Sequence, residues 1–195
     1  MGATYGLQKL FTHPGQVETQ TQSTLLFYTL SLPPTLTVAL FAGPEHSATN
    51  GDIKLERRVW SPALGGSLGW HGGHASMVAS YSQRITSGGG LSGAVRSKST
   101  DGSVRWQFTR TLTASLRGLY LVNRVLDSPG SFGDGGHSVS GTVSLERSIG
   151  EHLGLQMGYT RLHQSYANVP VISNTPNRNN VWVSLSYQFD RPMGR

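Results

Sequence analysis

A chain of 195 residues and 21.0 kDa has the size of one ordinary domain, which argues against a multidomain machine. Only 13% of residues are charged and mean hydropathy is −0.25, and no apolar run approaches the roughly 20 residues of a spanning helix, so a helical membrane protein is excluded; the 4 Trp, 7 Tyr and 6 Phe argue equally against disorder. The net charge of +6 comes from basic residues scattered singly apart from Arg57-Arg58, unlike the gathered stripe of a nucleic-acid face, and the absence of Cys removes disulfides and thiol chemistry.

The N-terminus, Met1-Gly2-Ala3-Thr4-Tyr5-Gly6, has neither the basic nor the apolar region of an export signal. The expectation is either a cytosolic protein or a chain whose beginning is missing. Strands with weak alternation are predicted over 3–11, 24–32 and 35–43. From there the alternation sharpens, with apolar Leu64, Leu68, Trp70, then Ala75, Met77, Ala79, Tyr81, then Val104, Trp106, Phe108. It continues through Leu112, Ala114, Leu116, Tyr120, through Val139, Val143, Leu145, and through Leu153, Leu155, Met157, Tyr159. The last segment is the clearest: Val181, Val183, Leu185, Tyr187 and Phe189 are separated by Ser184, Ser186 and Gln188. Ten dyad-patterned strands and no helical period make the chain all-β.

Connections alternate in length. Tight turns are predicted at Pro33-Pro34, Gly72-Gly73, Arg110-Thr111 and Gly150-Glu151, and long polar loops over 12–23, 44–61, 87–95, 127–137 and 167–179. Such two-sidedness is that of an antiparallel up-and-down sheet closing as a barrel. The polar positions are Ser, Thr, Gly and Gln rather than Lys and Glu, the composition of a hydrated interior, so the apolar face is expected to meet lipid as in a transmembrane β-barrel. A soluble all-β binding protein is the alternative, since alternation alone does not say which face is wet.

The closing segment Val181 to Phe189 resembles the C-terminal insertion signal of bacterial outer-membrane β-barrels. The tail Asp190-Arg191-Pro192-Met193-Gly194-Arg195, together with Leu40-Phe41-Ala42-Gly43-Pro44-Glu45 and Trp60-Ser61-Pro62-Ala63-Leu64-Gly65-Gly66, is similar to large barrel proteins of acidobacterial type. The resemblance implies one barrel domain over 1–195 with a tail at 190–195, or the C-terminal part of a larger barrel. It implies a bacterial outer-membrane location, with membrane lipids and the barrel assembly machinery as partners.

Alternation aims Arg84, Arg105, Arg117 and Glu146 at the interior, with Gln107 and Gln156 among them. Charges there must be hydrated or paired, so they form either an anion-favouring pore for small solutes or ions, or a salt-bridged plug. Glu146 is expected to pair with Arg105 or Arg117, placed at similar depth. Catalysis and cofactors are not expected. His71 and His74 fall short of a zinc ligand set, Gly88-Gly89-Gly90 lacks the continuation of a phosphate loop, and Asp127 with Asp134 lacks calcium-loop spacing. For an outer-membrane protease or phospholipase, Glu45, His46 and Asp52, or His74 with Ser76, are the nearest groupings, while His163 has no acidic neighbour.

Overall fold

The structure, a computed structural model, describes residues 1–12, 17–50, 57–87, 94–125, 135–150, 152–166 and 177–188. Ten strands follow in order: β1 (Gly2–Thr12), β2 (Val17–Leu32), β3 (Leu36–Asn50), β4 (Arg57–His71), β5 (Ala75–Ser87), β6 (Ala94–Gln107), β7 (Leu112–Val125), β8 (Gly135–Ile149), β9 (Leu153–Tyr166) and β10 (Asn177–Tyr187). They form one antiparallel up-and-down sheet in sequence order, with β1 and β10 as its edges; the sheet is not closed. Among the described residues no helix is long and apolar enough to cross a membrane.

The four tight turns lie where the sequence predicts them. Thr35 N–H donates to the Leu32 carbonyl at 3.2 Å around the cis Pro33-Pro34 bond, and Gly150 takes φ +69, a left-handed value natural to glycine. At the other end the strands run further than predicted. β2 begins at Val17, β3 continues to Asn50 and β4 starts at Arg57, so most of the loops expected over 12–23 and 44–61 is paired strand. Pro, Gly and polar residues signal loops in sequence, but a polar strand is favourable when its hydroxyls find cross-strand partners, as Thr21 Oγ1 does with Ser47 Oγ at 3.4 Å.

Burial is inverted relative to a water-soluble sheet. On β8, Ser138 and Ser144 are buried and Ser140 and Thr142 half-buried, while Val139, Val143 and Leu145 between them are exposed. The same face exposes Leu40, Leu68, Met77, Leu116 and Val183. Polar side chains satisfy one another across strands on the opposite face: Ser82 with Ser99 and Ser115 with Ser144 at 2.7 Å, Thr142 with Thr160 at 3.0 Å, and Ser80 donating to Asp101. Aromatic rings add to this polar face where a glycine leaves room. Trp182 covers Gly158, its Cζ2 2.5 Å from where a Cβ would stand, and Phe41 covers Gly65 in the same way.

The sheet also curls and shears. In a flat sheet β1 and β5 would lie about 19 Å apart at roughly 4.8 Å per strand. Instead Gly6 and Gln8 of β1, Ser23 of β2, Glu45 of β3 and Arg84 of β5 line one cavity of about 240 Å³, so the sheet bends toward its polar face. In one row of facing residues, Val38 stands four residues from Pro34, Ala79 five from His74, Gly118 seven from Thr111 and Gly141 nine from Gly150. The stagger is always in one direction, about one residue per strand, which corresponds to a strand tilt of about 35°.

Candidate functional site

Two clusters occupy the polar face. At the turn end, β4 to β8 enclose a cavity of about 440 Å³ whose charged and polar lining includes His71, His74, Arg105, Gln107, Arg110 and Glu146. Arg105 faces Ser115 on β7 and Glu146 faces Thr113, so the pair is two strands apart. The curl brings them together: Arg105 Nη2 donates to Glu146 Oε2 at 3.3 Å, with both side chains about half exposed. Gln107 Nε2 reaches the Arg110 carbonyl at 3.5 Å, and Gln156 lies opposite Glu146 on β9. Two guanidiniums, Arg105 and Arg110, against the single Glu146 carboxylate leave this cavity net positive, a setting that attracts anions.

Arg117 does not join the pair. It faces Ser103 and Thr142, two positions further from the turn than Arg105, and makes no ion pair with a described residue. The register refines the expected similar depth of Arg105 and Arg117: it places Arg117 beside Ser103, two positions further from the turn than Arg105.

Arg84 belongs to the second cluster, near the loop end and centred on Glu45 of β3. Pro44 and Pro62 face each other across β3 and β4. Neither has an N–H, so they exchange no hydrogen bond and their nitrogens point outward, toward β2 and β5 respectively. The β2–β3 ladder is interrupted at Thr24 and Leu25, opposite Pro44 and Gly43, and the β4–β5 ladder stops at Leu64–Gln83, just before Ile85 would meet Pro62. Two side chains take up the backbone groups that Pro62 strands. Ile85 N–H donates to Glu45 Oε2 at 2.6 Å, and Gln83 Nε2 donates to the Pro62 carbonyl at 3.1 Å. Glu45 is only 2% exposed, with the Arg84 guanidinium as the cation acting on it. Glu45 and His46 therefore do not converge as a catalytic pair: His46 lies on the other face, its ring 4.8 Å from Trp60. Asp52, Asp127, Asp134 and Phe189 lie outside the described residues.

No family profile matches the sequence, and no curated protein matches it significantly. Among the described residues no three His, Asp or Glu side chains gather as a metal site. The apolar face is bordered by rings at both ends: Trp70, Trp106 and Tyr187 toward the turns, Trp60, Tyr120 and Tyr159 toward the loops. On β4 the outward Trp60 and Trp70 are ten residues apart, about 27 Å along the normal at a tilt of about 35°.

Proposed function

We propose that this chain is a bacterial outer-membrane β-barrel with a porin-like or structural role and no catalytic one. The observation that carries the reading is the inverted burial, an exposed apolar face between two aromatic bands backed by a polar face whose hydroxyls pair across strands. A band of about 25 Å flanked by aromatic girdles is what a bilayer demands of a β-protein. Strands of 11 to 16 residues meet or exceed the roughly 9–11 needed to span. Closure of β1 against β10 removes the two edges, and an even strand count makes those neighbours antiparallel. The uniform stagger is the shear such closure requires. The polar face then becomes a lumen lined by Arg84, Arg105, Arg117, Glu146, Gln107 and Gln156, whose turn-end cavity favours small anions. Val181, Val183, Leu185 and Tyr187 of β10, with Phe189 following in the sequence, are the segment offered to the assembly machinery.

Refolding the full chain with phosphatidylcholine vesicles tests the reading. Flotation with the lipid and migration on gels that changes on boiling are expected; a chain that stays in the aqueous phase contradicts it. In planar bilayers an open lumen gives anion-favouring conductance that Arg105→Gln with Arg110→Gln weakens, whereas a structural barrel gives none.

A further inference from the structure

The outward face of β6 and β7 carries a charge pattern that the lumen does not explain. Arg96 on β6 and Arg124 on β7 face each other directly, and Lys98 lies two positions along β6 on the same side. This is the side of Val104, Leu116 and Tyr120, so the three cations continue the apolar face beyond its loop-end aromatic band. Directly opposed residues have Cβ atoms about 5 Å apart, where like charges repel. The described carboxylates do not relieve them: Glu45, Asp101 and Glu146 all belong to the polar face, and neither Lys98 nor Arg124 has a charge partner among the described residues. Arg96 adds an independent sign, for its Nε is buried without a hydrogen-bond acceptor. A buried donor of this kind costs free energy until an acceptor arrives.

The geometry points to a binding site for the phosphate group of an anionic membrane lipid, held by Arg96, Lys98 and Arg124 while its acyl chains lie along the apolar face below. The inference rests on the outer-membrane reading, which sets the bilayer against this face. Guanidinium groups match phosphate oxygens through paired N–H donors, and an anion between Arg96 and Arg124 turns mutual repulsion into two attractions. Position selects the source. Arg96 and Arg124 stand four positions beyond Tyr120 and Lys98 two, at headgroup level, where a phosphate arrives attached to a lipid.

The test compares the full wild-type chain with R96Q/K98Q/R124Q, both refolded in detergent and checked for insertion into phosphatidylcholine vesicles. Native mass spectrometry then measures binding of a bisphosphorylated glycolipid, the same glycolipid without its phosphates, and inorganic phosphate. The triple substitution is expected to insert normally and to lose on the order of a hundredfold in affinity for the phosphorylated lipid, about fivefold for each cation removed. The dephosphorylated lipid is expected to bind both proteins weakly and alike. Equal binding of the phosphorylated lipid by both proteins, or equal binding of both lipids by the wild type, overturns the site. Inorganic phosphate binding as tightly as the lipid overturns the lipid as occupant. A wild type that never enters vesicles refutes the outer-membrane reading and this site with it, whereas insertion without phosphate discrimination refutes the site alone.

Discussion

Proline in a strand interior deletes a donor and weakens the ladder there; at Pro62 the β4–β5 ladder ends, and Glu45 and Gln83 take up the Ile85 N–H and the Pro62 carbonyl that would otherwise pair with each other. Glu45→Ala should therefore destabilise the fold by about 1–3 kcal/mol, the cost of a buried N–H left without an acceptor. In a Pro62→Ala background, where residue 62 regains its N–H and the ladder can extend to Ile85, the same substitution should cost less. Urea unfolding of the four proteins checks this coupling; equal costs in both backgrounds would refute the role given to Glu45. The Arg105–Glu146 pair behaves differently. Both side chains are about half exposed, so Glu146→Gln should change stability by less than about 1 kcal/mol while making the turn-end cavity more positive. A larger loss in the same unfolding assay would mean a braced plug rather than a wet lumen. Alternation alone places Arg105 and Glu146 on one face. It does not show that Glu45, read with His46 as a rim pair, would be drawn under the sheet by a proline seventeen residues away.

Among the elements, strand identity and order were readable because dyad alternation survives wherever one face must be apolar, and the four turns carry residues suited to tight reversals. Strand length was not, because the loop-end extensions of β2, β3 and β4 are built from Thr, Ser, Gln and Pro, whose pairing depends on partners in the neighbouring strand. Aromatic cover on the polar face was equally hidden. Trp182 interrupts the polar positions of β10, and only the register reveals Gly158 beneath it. Gly158→Val should displace that ring and lower stability by about 1–3 kcal/mol, the usual penalty of overpacking, with Trp182→Ala in the same chain relieving part of it. Thermal melts followed by near-ultraviolet circular dichroism check this, and a tolerated valine would contradict the packing. Topology has its own test. Cysteine at Arg110, in a tight turn, should resist impermeant maleimide on intact cells, while cysteine at Asp134, between β7 and β8, should react; the opposite pattern reverses the orientation.

For the whole molecule, the central claim is that the sheet meets lipid with its apolar face and closes on its polar one. Three of the four tryptophans, Trp60, Trp70 and Trp106, lie on the apolar face and are exposed, while Trp182 lies on the polar face over Gly158. This exposed apolar surface is what supports the proposed contact with lipid. The most direct measurement is fluorescence quenching of single-tryptophan variants reconstituted in vesicles of brominated phosphatidylcholine. The account predicts strong quenching of Trp70 and Trp106 by the lipid and little quenching of Trp182. Quenching of Trp182 as strong as that of Trp70 and Trp106, or their quenching by aqueous iodide instead of lipid, would contradict it.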